Sequence, residues 1–325
     1  MFQRWDDIVE IPLPLPFALK IIKAYLIKGE NGYTIIDTGL STEEDMETWK
    51  RAQEELGFSW SDVEKIVLTH YHPDHYGLAG KLQELSGAQV YMSETDWEQA
   101  HLFLGRESDM PELMAEFFGR HGLPEDWSSK IAEHLRSFHR WVEPHPEPTF
   151  LRSGEKIRLG NREYEILHTP GHADGHLSFF DRERGWLIGG DFLLPKISPN
   201  ISLWPRCHTN PLALYLETLE RMRELPVKRV FPSHGPVFDH YVDRIDQLKE
   251  HHRVRLAAMK QVVAEQGGAT AYDVCGQMFG RDISIHNLRF ALSETLAHLE
   301  YLRMCGDLTS EERIGRIVYL VGQVE

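Results

Sequence analysis

Six consecutive residues, His70-Tyr71-His72-Pro73-Asp74-His75, carry three imidazoles and a carboxylate, and the apolar run Lys65-Ile66-Val67-Leu68-Thr69 leads straight into them. Such a run reads as a buried strand and Gly77 to Leu85 as the helix that follows, so the four side chains sit on a strand-to-helix loop. Pro73 stiffens that loop, and the rigid elements on either side fix the directions of its side chains. Imidazole nitrogen and carboxylate oxygen suit zinc, iron or manganese, yet one short loop supplies only part of a coordination shell. The remaining ligands must come from elsewhere. Three later segments repeat one pattern: an apolar strand, a Gly or Pro at which the backbone turns, then a metal-competent side chain. They are Ile166-Leu167-His168-Thr169-Pro170-Gly171-His172, Trp186-Leu187-Ile188-Gly189-Gly190-Asp191 and Arg229-Val230-Phe231-Pro232-Ser233-His234.

With these residues the chain resembles the metallo-β-lactamase-fold hydrolases. The resemblance rests on His70-x-His72-x-Asp74-His75 followed by His172, Asp191 and His234, and covers about the first three quarters of the sequence. It implies an α/β fold, an αββα sandwich, with His70, His72 and His172 on one metal, Asp74, His75 and His234 on a second, and Asp191 bridging the two. Asp37, in Ile35-Ile36-Asp37-Thr38-Gly39, matches the family's earlier Asp-x-Gly, whose carboxylate supports the ligands. The implied cofactor is two divalent metal ions, zinc first, with iron or manganese as alternatives. A water or hydroxide shared by the two ions is then the nucleophile, and Asp74 and Asp191 also handle its proton. Tyr71, Tyr76, His176 and His208 are further candidates to bind substrate or protonate a leaving group, each set against a plain packing or supporting role.

Charge and cysteine usage narrow the function classes. A formal net charge of −15 works against a sequence-independent grip on nucleic acid or anionic membrane, which depends on Lys and Arg neutralising phosphate. Cys207, Cys275 and Cys305 form no Cys-x-x-Cys, so neither a disulfide framework nor a thiolate zinc site is expected. Ile11-Pro12-Leu13-Pro14-Leu15-Pro16 is broken by proline at alternate positions, and no signal peptide or membrane span is read. A cytoplasmic location is the resulting expectation.

Along the chain, Ile21–Ile27 and Tyr33–Ile36 flank Asn31-Gly32 and predict a hairpin. Ser41-x-x-Glu44 predicts the capping box of a helix running to Leu56. From about 95 to 144 the strands give way to helices rich in large apolar residues, among them Trp97, Phe103, Phe117, Phe118, Trp127 and Trp141. This reads as an insertion that either cements itself to the core or walls an apolar substrate pocket. Strands resume at Glu155–Leu159 and Arg162–Leu167, and Asn210-Pro211 opens a helix. Residues 1–239 thus form one expected domain, with its insertion, and 240–325 a second. In the second, three helices at 243–266, 270–279 and 285–304, then a hairpin, resemble the winged-helix-like domain found behind the catalytic domain in some relatives, including a β-lactamase-like endoribonuclease. From His240 onward ten Lys and Arg face twelve Asp and Glu, so packing is favoured over DNA reading.

The leading expectation is therefore a metal-dependent hydrolase of a small ester-type substrate: a thioester of the hydroxyacylglutathione type, a lactone or a related acyl compound. Cleavage of single-stranded RNA is the alternative, disfavoured by charge. Iron-dependent persulfide oxidation and a vestigial winged-helix regulator fit the complete ligand set less well. The sequence leaves the natural substrate, the metal and the oligomeric state open.

Overall fold

The computed structural model describes residues 1–17 and 19–322. Contacts divide the chain into two compact units. The first comprises residues 1–105, 138–199 and 224–241; the second comprises 106–137, 200–223 and 242–325.

The first unit opens with β1 (Arg4–Trp5), β2 (Ile8–Pro14), β3 (Ile21–Lys28), β4 (Tyr33–Ile36), α1 (Glu43–Leu56), β5 (Val63–Val67), α2 (Pro73–Tyr76), α3 (Ala79–Ser86), β6 (Gln89–Met92) and α4 (Glu94–Leu104). It continues with β7 (Pro148–Phe150), β8 (Lys156–Leu159), β9 (Arg162–His168), β10 (Leu177–Asp181), β11 (Trp186–Gly190) and β12 (Arg229–Pro232). One sheet runs β1-β2-β3-β4-β5-β6-β7 and the other β12-β11-β10-β9-β8. The first sheet is antiparallel from β1 to β4 and parallel from β4 to β7.

The two sheets share one apolar core. Ile8, Tyr25, Ile27, Ile36 and Val67 from the first meet Ile157, Leu159, Tyr164, Ile166, Leu177, Phe179, Ile188 and Phe231 from the second. With helices outside the sheets this is the αββα sandwich. The shared core is also why the site is well placed: β5, β9, β11 and β12 end near one another, and the loops leaving them inherit the rigidity of the packed strands.

Local detail departs from expectation at the start of α1. The N-cap of α1 is Thr42, whose hydroxyl accepts the Asp45 N–H at 3.1 Å, while Ser41 instead donates to the Glu143 carbonyl. The Pro12 and Pro14 segment belongs to β2; β1 pairs only with Ile8 and Val9, so both prolines fall where β2 has a strand on one side alone. The last strand starts at Arg316, and Ile314 lies in the turn before it, with φ of 51°.

The second unit holds α5 (Met110–Arg120), α6 (Glu125–Arg136), α7 (Pro211–Arg223), α8 (Tyr241–Glu265), α9 (Ala271–Phe279), α10 (Ile285–Met304) and the hairpin β13 (Leu308–Arg313) and β14 (Arg316–Val321). In this division by contacts the inserted helices α5 and α6 and the later α7 gather with the C-terminal helices. Helix α10 explains why. Leu288, Ala291, Leu292, Leu296, Leu299 and Leu302 need cover on one side, and Arg289, Ser293, Glu294 and His298 are buried on the other. Residues 200–204 supply part of that second cover: Trp204 donates its indole N–H to Ser293 at 2.8 Å, and Asn200 donates to Glu294 at 3.0 Å. No helix among the described residues is long and apolar enough to cross a membrane.

Candidate metal centre

The loop after β5 turns at once into the short helix α2, whose first residue is Pro73 and whose N-cap is His72. Proline suits that position because it lacks the N–H that a first helical turn leaves unused. His70 and His72 lie before this one-turn helix, and Asp74 and His75 lie within it. His172 comes from the loop between β9 and β10, Asp191 follows β11 and His234 follows β12. All of these expected ligands converge. Their candidate donor atoms form three overlapping groups, each within 4.8 Å: His70, His72 and His172; His70, His75 and Asp191; Asp74, His75 and His234.

Within the first group, His72 Nδ1 lies 3.0 Å from His70 Nε2 and 2.9 Å from His172 Nε2. Tetrahedral ligation at the usual zinc–nitrogen length would place two nitrogens about 3.3 Å apart. In the third group, His234 Nε2 is 3.4 Å from Asp74 Oδ2, and His75 Nε2 is 3.8 Å from the same oxygen. Asp191 lies between the groups: its Oδ2 is 3.4 Å from His172 Nε2 and 3.7 Å from His234 Nε2, and its Oδ1 is 3.6 Å from His75 Nε2.

Hydrogen bonds on the far side of each ring decide which nitrogen faces inward. Asp37 accepts the Thr69 N–H at 2.8 Å and the Thr69 hydroxyl at 2.9 Å, so Thr69 Oγ1 is left to accept from His70 Nδ1 at 3.0 Å. His75 Nδ1 donates to Asp37 Oδ2 at 2.8 Å, and His234 Nδ1 donates to the Ile21 carbonyl at 2.9 Å. Each of these three rings therefore keeps a proton on Nδ1 and turns Nε2 toward the cluster, the nitrogen that would ligate a metal once free of any second proton. His75 Nε2 and Asp191 Oδ1 are buried and have no hydrogen-bond partner. Such atoms are costly inside a protein, and a divalent cation would satisfy both, so the donor set fits one.

The charges divide the cluster. Burial, reinforced by neighbouring imidazoles, holds His70 and His72 well below the usual histidine range and hence neutral. Burial opposes charge in the other half as well, but the pairing of His75 and His234 with Asp74 and Asp191 outweighs it. Both imidazoles are raised, Asp74 is lowered to about 2 and Asp191 is held well below its usual range.

The less specific candidates separate. His176 is a support: its Nε2 accepts the Asp191 N–H at 3.1 Å, and its Nδ1 donates to Thr169 Oγ1 at 2.8 Å. Tyr71 is buried with its ring stacked on Phe103. The Tyr76 hydroxyl is taken by His145 Nδ1 at 2.9 Å, which directs it to the end of the insertion. His208 belongs to the second unit, where it is exposed and its ring accepts the Asn210 N–H at 3.1 Å. Thr69 and Asp96 were missed by the sequence reading. Thr69 was hidden at the end of an apolar strand, and Asp96 carries no signal, being one acidic residue in the first turn of a helix.

This geometry has relatives. Residues 19–234 match the metallo-beta-lactamase superfamily, and residues 256–319 match the metallo-beta-lactamase-like C-terminal domain. A probable metallo-hydrolase of Bacillus subtilis, YqjP, is 29% identical over 94% of this chain and 95% of its own. The crystal structure of a metallo-beta-lactamase family protein from Thermus thermophilus, TTHA1429, is 34% identical and superposes with a TM-score of 0.86, covering 98% of this chain and 99% of that one. An acyl-coenzyme A thioesterase of Gallus gallus, MBLAC2, is 25% identical over 61% of this chain and 68% of its own. A histidine and aspartate cluster at the strand ends of an αββα sandwich, in a chain of which one family matches residues 19–234, places this protein in the metallo-beta-lactamase superfamily as a metal-binding hydrolase.

Proposed function

We propose that this chain uses two divalent ions, zinc first, to hydrolyse a small acyl substrate such as a thioester or a lactone. The observation that carries the reading is Asp191, whose two oxygens reach toward His172, His234 and His75 together. On this reading His70, His72 and His172 hold one ion, Asp74, His75 and His234 hold the other, and Asp191 serves both. Two such ions, when bound, lower the pKa of a water and polarise the carbonyl under attack. The remaining work falls to the chain. Asp37, Thr69, His176 and the Ile21 carbonyl keep the ligating atoms aimed inward. Asp74 Oδ2 and Asp191 Oδ2, both beside His234 Nε2, would take the proton that the attacking water gives up.

The acyl class is supported by the thioesterase relative and by the strongly acidic composition, which disfavours polyanionic substrates. Metal quantification on protein purified without chelators, followed by assays of thioesters, lactones, phosphodiesters and persulfides on that sample, tests it. Two ions per chain with acyl turnover that chelation abolishes is the expected result. Full metallation without acyl turnover would overturn the substrate class, and a single iron per chain would overturn the two-ion reading.

A further inference from the structure

His70 and His72 leave a strand of one sheet, whereas His172 lies between two strands of the other, so the first group of ligands is assembled across the sandwich. Its closest approaches are 2.9 and 3.0 Å. Neither loop fixes that spacing by itself. Asp96, in the first turn of α4, touches both. Its Oδ2 accepts the N–H of Tyr71, the residue between the two histidines, at 3.2 Å, and its Oδ1 accepts the N–H of Gly175 in the His172 loop at 2.7 Å.

The surroundings are built for this contact. Ser93 caps α4 by accepting the Asp96 N–H at 3.1 Å, which fixes the carboxylate's origin. Gln99, one turn further along α4, donates to Asp174 Oδ2 at 2.7 Å and ties the His172 loop a second time. Position 175 has no room for a side chain, since a Cβ there would stand 2.4 Å from Ser93 Oγ and 2.5 Å from Asp96 Oδ1. The ligands of the Asp74, His75 and His234 group are anchored differently, His75 through Asp37 and His234 through the Ile21 carbonyl.

We propose that Asp96 is a positioning residue that clamps the His70–His72 loop to the His172 loop and so sets the geometry of one of the two ion positions. The inference rests on the two-ion reading above. Asp96 is completely buried, and burial pushes its carboxyl up to about 8. An amide of the same shape has one acceptor oxygen, and its NH2 would face a backbone N–H. Asp96→Asn should remain folded and lose the clamp, and a selective loss of one ion is what a merely structural carboxylate would not give.

The test is Co(II) titration followed by absorption spectroscopy and metal analysis, with urea unfolding as the control, on the wild type, Asp96→Asn, His72→Ala and His234→Ala. The wild type should bind two ions. Asp96→Asn should weaken one of them about 10–100-fold, the usual scale for groups behind the ligands, and leave the other within about twofold. The weakened ion should be the one lost in His72→Ala and kept in His234→Ala. Gly175→Ala, which displaces the same carboxylate from the opposite side, should reproduce the selective loss and keeps the test open should Asp96→Asn fold poorly. Two ions in the wild type with both affinities unchanged in folded Asp96→Asn overturns the inference alone, as does equal weakening of both or loss of the ion that His234→Ala loses. One ion in the wild type overturns the two-ion reading and the inference with it.

Discussion

At the scale of single residues, Thr69 does more than its place at the end of an apolar strand advertises. Its N–H and hydroxyl occupy both oxygens of Asp37, its hydroxyl also accepts from His70, and its carbonyl accepts the Leu177 N–H of the other sheet at 2.8 Å. Thr69→Val keeps the shape and deletes only the hydroxyl, leaving His70 Nδ1 without its acceptor and Asp37 one donor short. Stability should fall by about 1–3 kcal/mol, the cost of a buried polar group left unsatisfied, and metal affinity by about 10–100-fold. Urea unfolding and competition with a chromophoric chelator measure the two; an unchanged affinity would show that Asp37 and His75 alone aim the cluster. The ligands were legible in the sequence because each follows a strand and a turn residue, so its role is written locally. The roles of Thr69, His176 and Asp96 exist only once distant segments meet, and no local pattern records that meeting.

Among the elements, the end of β11 has the least tolerance. Gly190 has a φ of 52° beside a register shift against β12, and a Cβ there would meet His176 Nε2 at 2.6 Å and Thr69 Cβ at 2.9 Å. Gly189, one residue earlier, would place a Cβ no closer than 3.4 Å to any neighbour. Gly190→Ala should therefore cost at least about 1–3 kcal/mol from backbone conformation alone, plus a displaced His176 and lost metal binding. Gly189→Ala should stay folded and metallated; thermal melts and metal analysis of the pair decide. The helices of the second unit hide a different liability. His298 donates Nδ1–H to the Glu294 carbonyl, so its bare Nε2 accepts from His252 Nδ1, and both rings are buried as neutral imidazoles. Burial first, then neighbouring imidazoles and Arg255, holds His252 down at about 2; burial chiefly holds His298 at about 3. Both folded values lie below the unfolded value of about 6.5, so the stability they contribute is complete above that pH and is lost as pH falls toward 3. Each imidazole should steepen the loss by on the order of 1.4 kcal/mol per pH unit below about pH 6. The difference in urea stability between wild type and His252→Gln/His298→Gln, followed from about pH 7.5 to about 4.5 across the ordinary histidine range, isolates this pair from the other histidines; parallel curves would mean that the pair titrates normally.

At the scale of the whole molecule, the sandwich was legible because periodic strands and turn residues recur in order, while the division into units was not. The apolar stripes of α5, α6 and α7 announce that these helices are buried but not against what, and the answer, the two-sided burial of α10, is a tertiary fact. That same burial bears on the substrate. The helix that a winged-helix reading would lay in a nucleic acid groove has Arg289 4% exposed, beneath the ring of Trp204, and Glu294 7% exposed, paired with Arg255. A nucleic acid substrate would have to be held against a net charge of −15 by scattered surface cations. Binding a single strand by neutralising Z phosphates makes log K fall with log salt at a slope of about −0.7Z, so a genuine RNA track would show itself most strongly at low ionic strength. Labelled single-stranded RNA, titrated with the metallated protein at about 50 mM salt and again at higher salt, should show neither saturable binding nor cleavage, while the same preparation turns over an acyl thioester. A slope of several units together with metal-dependent cutting would instead mean that local cation placement outweighs the net charge, and would move this chain from acyl transfer to water to phosphodiester hydrolysis at the same histidines and aspartates.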